Sequence, residues 1–188
     1  MLTFEPVETE QQIEELALMA AEIWGEYWPA LIGKGQTDYM VQKFQTAAAI
    51  KDDMEHHAYR YWFLIDDQGT KVGYTGGATE IMTGNPEHDK EIMHNPTVQR
   101  RWNRRFFISK IYLYANQRGK HYSSRVLDFY EKLCKDEHLQ VMYLTVNKGN
   151  TLGIRAYLGN GFKIVDMQAA DIGGGYVMDD NIMAKEIQ

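Results

Sequence analysis

Residues Ser109–Ser124 read SKIYLYANQRGKHYSS. An apolar strand runs into a short polar turn carrying Arg118, Gly119 and Lys120, and a helix begins at once. Such a layout aims several backbone N–H groups and the positive end of a helix dipole at one point. A phosphate or pyrophosphate is its natural occupant. A turn with one Arg, one Gly and one Lys is a weak signal taken alone, and an ordinary solvated turn is the alternative.

Working outward, Phe106–Tyr114 reads as a central apolar strand, and Tyr122–Lys135 as a helix with Val126, Leu127, Tyr130, Leu133 and Cys134 on one face. Downstream come a strand over Gln140–Val146, a short helix over Asn150–Tyr157, a helix stop at Gly161 and a strand over Phe162–Met167. A tight connection at Ile172–Tyr176 leads to a closing strand, Tyr176–Ile187. Upstream, Leu2–Val7 reads as a strand. Thr9 and Gln12 have capping-box spacing ahead of a helix bearing Ile13, Leu16, Ala20, Ile23 and Trp24, which Trp28-Pro29 ends. Thr37–Ala49 reads as a second helix with Tyr39, Met40, Val41 and Phe44 as its apolar face. Tyr59–Ile65 and Lys71–Ile81 form a hairpin around Asp66–Gly69. Gly73, Gly76 and Gly77 in its second arm imply a bulge or a close approach by backbone or ligand. The polar stretch 83–103 has no clear period and reads as a loop or partly helical insertion. The order is β-α-α-β-β-β-α-β-α-β-β: a mixed α/β sheet with helices on both sides, in a single domain over residues 1–188.

The 188 residues include 20 Lys and Arg against 26 Asp and Glu, a formal charge of −6. That balance argues against a nucleic-acid partner and suits a cationic small molecule, although mild acidity also serves solubility alone. One cysteine, Cys134, excludes an intrachain disulfide and a cysteine metal cluster; it reads as a buried small hydrophobe. The N-terminus lacks a signal-peptide pattern, and no apolar run approaches the length of a membrane span, so a cytoplasmic protein without a membrane partner is expected. His56 and His57 are adjacent, and His88 and His94 lack a partner set, so no metal is expected. The run Arg100, Arg101, Arg104, Arg105 reads as solvated, with an adenosine phosphate or an acidic partner as alternatives.

A second motif follows the first: Asn147–Phe162, NKGNTLGIRAYLGNGF. By itself it is a short amphipathic helix between strands, with Asn150 as its cap and Tyr157 as a core aromatic. In this order the two motifs resemble the GNAT superfamily of acetyl-CoA-dependent N-acetyltransferases over nearly the whole chain. FFISKIYLYANQRGK resembles the family's fourth strand and pyrophosphate loop. LTVNKGNTLGIRAYLGNGF resembles its fifth strand, the following helix and the start of the sixth strand. The end, DIGGGYVMDDNIMAKEI, is similar to a bacterial subgroup that includes PaiA-like polyamine acetyltransferases.

The resemblance implies a mostly antiparallel sheet of about seven strands, splayed between strands 4 and 5. It implies acetyl-CoA as cosubstrate, with Arg118, Gly119, Lys120, His121, Tyr122 and Ser123 around the pyrophosphate. Ile111, Tyr112 and Leu113 would lie along the pantetheine arm, with Asn150 contacting that arm or holding the local loop. Tyr157 matches the position of the family's tyrosine general acid. One departure stands out. The family loop carries small residues where this chain has His121 and Ser123, so a side chain replaces a hydrogen where phosphate would approach. The implied function is N-acetyl transfer to a primary amine, either polyamine-like or an amino acid or peptide N-terminus. A non-catalytic acyl-CoA-binding regulatory domain is the rival, and a homodimer is left open. The base that takes the amine's proton has three candidates: Glu80, Asp179 and Asp180. Because neighbours on a strand face opposite sides, only one of the two aspartates can point inward.

Overall fold

The computed structural model describes residues 1–85, 87, 89 and 95–188. His88 and His94 lie outside them. The described strands are β1 (Thr3–Pro6), β2 (Tyr59–Ile65), β3 (Lys71–Ile81), β4 (Arg104–Leu113), β5 (Val141–Asn147), β6 (Lys163–Gly173) and β7 (Tyr176–Glu186). They form one seven-stranded sheet in the order β1-β2-β3-β4-β5-β7-β6. β4 and β5 run parallel, while β1–β2, β5–β7 and β6–β7 are antiparallel. The mostly antiparallel sheet expected from the sequence is therefore present. Among the described residues the β4–β5 register runs from Arg105↔Val141 to Ile108↔Leu144.

Two compact units partition the chain: Met1–Gly77 with Lys110–Tyr122, and Ala78–Ser109 with Ser123–Gln188. In the first unit, α1 (Glu10–Tyr27) starts at the predicted capping box. The Thr9 side chain accepts from the Gln12 amide, and the Gln12 carboxamide accepts from the Thr9 amide. Its buried face carries Ile13, Leu16, Met19, Ala20, Ile23 and Trp24, which pack with Ile50, Tyr61, Phe63 and Tyr74.

The helical region after α1 differs from the sequence reading. Pro29–Ile32 forms a one-turn helix, α2. The single helix expected over 37–49 is two: α3 (Lys34–Phe44) and α4 (Ala47–His56). The break falls at Gln45–Thr46 because the Thr46 hydroxyl accepts from the Ala49 amide, satisfying a first-turn donor of α4. Only Thr37 and Met40 of α3 are buried; Tyr39, Val41 and Phe44 are half-exposed.

The glycines of β3 are there for close approach. A Cβ on Gly73 would stand 2.1 Å from the Tyr112 carbonyl oxygen, and one on Gly76 2.6 Å from the Tyr61 ring. Backbone and ring thus occupy the space of the missing side chains.

In the second unit, α5 (Pro96–Arg101) is capped by Asn95, whose side chain accepts from the amides of Thr97 and Val98. The described part of 83–103 is therefore partly helical. α6 (Tyr122–Asp136), whose residues from Ser123 onward belong to this unit, buries Val126, Leu127, Tyr130 and Cys134 on one face. Tyr130 packs on Phe106 with ring centroids 4.8 Å apart. α7 (Thr151–Gly159) is capped by Asn150 and followed by Gly161 at φ +87°. β6 runs six residues beyond the expected Met167, to Gly173. Its hairpin with β7 turns through Gly174 and Gly175, at φ +63° and +79°, a backbone that glycine adopts without strain.

Candidate acyl-carrier site

In the first unit, β4 delivers the chain to Tyr114. A 3-10 turn, Ala115–Gln117, then leads into the polar loop. Gly119 sits at φ +77° and His121 at φ +60°. His121 is thus one of the few non-glycine residues with a left-handed backbone, a conformation histidine tolerates better than most. Its side chain is exposed. Among the described residues, the amides of Gly119 to Ser123 donate to no backbone carbonyl. These are the free N–H groups that a loop at a helix start offers an anion.

The cations of this loop are held in place. Arg118 donates to the Leu113 carbonyl at 3.3 Å and lies 4.4 Å from the centre of the Tyr27 ring. Lys120 donates to Gln117 at 2.7 Å. Of the strand residues expected along a pantetheine arm, Tyr112 turns its ring into the core against Trp24 and Tyr74. Its contribution to a ligand is therefore confined to the backbone. Ile111 and Leu113 are half-buried.

In the second unit, Asn150 gives its side-chain oxygen to the Gly153 amide at 3.0 Å. It therefore caps the start of α7. Tyr157 lies on α7, half-buried, 5.8 Å from the Phe162 ring. Beyond it, Asn160 donates to the Ser124 hydroxyl at 3.2 Å. The last turn of α7 is thereby tied to the first turn of α6.

Two sequence expectations are corrected here. Glu80 is 1% exposed and accepts from Arg105 at 2.5 Å and from the Tyr143 hydroxyl at 2.9 Å. A carboxylate so enclosed and paired cannot serve as the base. Arg105, expected in a solvated basic run, is fully buried; Arg104 donates to the carbonyls of Glu137 and His138. Burial and the Glu80 carboxylate push the Tyr143 hydroxyl well above its usual range.

The aspartates separate as strand alternation demands. Asp179 is exposed and pairs with Lys148. Asp180 is 5% exposed, its Oδ1 has no hydrogen-bond partner among the described residues, and burial, followed by the neighbouring Asp179 charge, pushes its carboxyl up to about 6.

A further buried charge escaped the sequence reading. Lys110 of β4 donates to the Tyr61 hydroxyl at 2.7 Å and to Asp53 at 3.4 Å, over the rings of Tyr59 and Tyr61. Burial lowers its ammonium and Asp53 partly restores it. A lone lysine inside FFISKIYLY was the available signal. No group of three or more His, Cys, Asp or Glu is placed to hold a metal ion, and no helix is long and apolar enough to cross a membrane, among the described residues.

A mostly antiparallel seven-stranded sheet with a parallel β4–β5 pair, whose fourth strand runs through a short turn into a long helix, defines the α/β class of the chain. Residues 18–162 match the acetyltransferase (GNAT) family. The chain belongs to that family.

Solved structures of the same fold include the PaiA N-acetyltransferase of Thermoplasma acidophilum in complex with coenzyme A (TM-score 0.68, 17% identity, covering 99% of each chain). A GCN5-related N-acetyltransferase from Rhodopseudomonas palustris is similarly close (0.69, 11%, 98% of this chain and 95% of that one). So is a phosphinothricin acetyltransferase from Sinorhizobium meliloti in complex with acetyl-CoA (0.62, 15%, 100% and 88%). No curated protein matches the sequence significantly.

Proposed function

We propose that this chain, as one catalytic domain over residues 1–188, transfers an acetyl group from acetyl-CoA to a primary amine. The observation that carries the reading is the run of amides from Gly119 to Ser123, at the start of the fifteen-residue α6, that among the described residues donate to no backbone carbonyl outside the helix. It supports a pyrophosphate site formed by Arg118, Gly119, Lys120, His121, Tyr122 and Ser123. Ile111, Tyr112 and Leu113 then offer backbone groups to the pantetheine arm, and Asn150 orders the loop that leads into α7. Neighbours of the same fold solved with coenzyme A or acetyl-CoA support such a cosubstrate.

The chemistry sets what the rest of the site must do. An alkyl amine of pKa about 10 is only about 0.1% neutral at pH 7, so its proton has to be removed first. The neutral nitrogen attacks the thioester carbonyl, and the oxyanion that forms needs N–H donors. The C–S bond then breaks and a proton reaches the sulfur. Tyr157 is the donor in this reading, because a phenol still holds its proton at neutral pH. The acidic chain favours a cationic, polyamine-like acceptor over an amino acid or a peptide N-terminus. A cytoplasmic setting fits such an enzyme.

Thiol release from acetyl-CoA with spermidine, 1,4-diaminobutane, lysine and a dipeptide tests the proposal. Turnover on one or more of them, together with a rise in melting temperature on adding coenzyme A, is expected. Tight coenzyme binding without turnover on any amine would instead favour a non-catalytic acyl-CoA-binding domain.

The loop supplies its own check. His121→Gly removes an exposed side chain from a left-handed residue, and glycine adopts that backbone freely. Coenzyme affinity by calorimetry is expected within about threefold of wild type, or tighter, since no contact of the imidazole is invoked. A tenfold loss would show the imidazole to be a phosphate ligand.

A further inference from the structure

Asp180 is the buried carboxylate that the fold does not use. Ordinarily a carboxylate this enclosed is paired or fully hydrogen-bonded. Here, among the described residues, Oδ1 has no hydrogen-bond partner, and the ammonium that acts on the carboxyl, that of Lys148 just after β5, is engaged by Asp179.

The position is informative. Asp180 stands directly opposite Asn147 across β5–β7, three residues past Leu144, the last β5 residue in register with β4. From Asn147 the chain passes within three residues to the Asn150 cap of α7, the helix of Tyr157.

The groups around Asp180 favour a cation. On its sheet face the opposite residue of β6 is Gln168, and Asp166 lies two residues along. Both receive a hydrogen bond from Asn95 ahead of α5, at 3.2 Å for Gln168 and 3.5 Å for Asp166. Asn147 faces it from β5. The charges that act on Asp180 are Asp179 on its own strand and Lys148 after β5, while Arg100 of α5 acts on Asp166. Among the described residues, no side chain donates a hydrogen bond to Oδ1.

We propose that Asp180 Oδ1 binds the acceptor's ammonium group and takes its proton, making Asp180 the catalytic base of the reaction. This rests on the acetyltransferase reading above. One N–H bond of R–NH3+ breaks and an O–H bond forms on Asp180. The freed lone pair attacks the acetyl carbonyl, and a C–N bond replaces the C–S bond. The first proton leaves Asp180 for solvent, and the second proton lost by nitrogen is balanced by the one delivered to sulfur. A carboxylate poised near 6 is ionised at neutral pH, yet more basic than a solvated aspartate, as a general base should be.

The test is the pH dependence of kcat/KM for acetyl-CoA with spermidine in wild type and Asp180→Asn. Wild type should show an inflection near 6. The variant should lose it and fall about 100-fold at pH 7, with coenzyme affinity unchanged within threefold and the deficit narrowing toward pH 9.5 as the amine deprotonates by itself. The variant should melt no earlier than wild type at pH 7.5, because asparagine need not be ionised when buried. Any gain should vanish by pH 4, where Asp180 is protonated in the folded state.

A variant that keeps the inflection, or stays within threefold in rate, overturns the assignment and leaves the acetyltransferase reading standing. Wild type that binds coenzyme but acetylates none of the four test acceptors overturns both. Should the variant not fold, carboxyl carbon NMR of wild type decides. A resonance titrating near 6 and displaced by spermidine supports Asp180, and its absence overturns it.

Discussion

Replacing Glu80 by alanine is expected to destabilise the fold by about 3–5 kcal/mol, the range for removing one partner of a buried ion pair. The reason is what remains behind. Arg105 is fully buried, with Nε on Glu80 and Nη1 on the Trp102 carbonyl at 3.0 Å. Without the carboxylate its buried charge loses the Glu80 counter-ion, and the Tyr143 hydroxyl loses that acceptor as well. In urea the midpoint should drop by about 1–2 M at unchanged slope. Glu80→Gln keeps an acceptor for Tyr143 but not the charge, so it should fall between wild type and alanine. The double change Glu80→Leu with Arg105→Met should recover most of the loss, because removing both charges also removes their desolvation cost. A loss below about 1 kcal/mol for Glu80→Ala would mean that water reaches the pair. The same enclosure is why Glu80 was a poor candidate for the base despite its place near the end of β3.

That pair also marks where sequence reading stops. Local patterns carried most of the fold: the Thr9–Gln12 cap, the apolar strand ending at Arg118-Gly119, the helix stop at Gly161 and the glycine hairpin after β6 are signals spanning a few residues. They fix backbone geometry through hydrogen bonds and allowed dihedrals, so they survive without tertiary context. The break between α3 and α4 was also written locally, in Thr46 as a cap, but Ala47–Ala49 continue a helical propensity across it and hide the stop. Glu80 and Arg105 are 25 residues apart and meet only because β3 lies beside β4 in the sheet. Nothing in either strand's own periodicity announces the meeting. Asp180 is intermediate. Alternation required one aspartate of the pair to turn inward, yet β7 is buried continuously from Asp180 to Ala184. The strand thus offers no polar–apolar alternation from which to tell which one. The loop dihedral of His121 followed from its position in the motif, while the role of its imidazole depends on a ligand's contacts rather than on the chain.

Tyr157→Phe is expected to lower kcat about 100-fold or more on the proposed reading, since general-acid catalysis contributes about 10²–10⁴. The substitution is gentle on the fold. Phenylalanine preserves the ring that stands 5.8 Å from Phe162, and Tyr157 is only half-buried, so the melting temperature should barely move. Coenzyme affinity should stay within a few-fold, because the amides from Gly119 to Ser123 are untouched. The pH behaviour separates this loss from that of Asp180→Asn. A thiol of pKa about 8.5 leaves as an adequately stable thiolate once the pH passes that value, so the Tyr157→Phe deficit should shrink above about pH 8.5. Its kcat/KM profile should nevertheless keep the inflection near 6, which belongs to another group. Proton removal from nitrogen and proton delivery to sulfur are then two functions on two elements, β7 and α7. Their variants should disturb opposite ends of one pH profile. A Tyr157→Phe enzyme with wild-type kcat would transfer the second role to water or to another donor and would leave the role proposed for Asp180 standing.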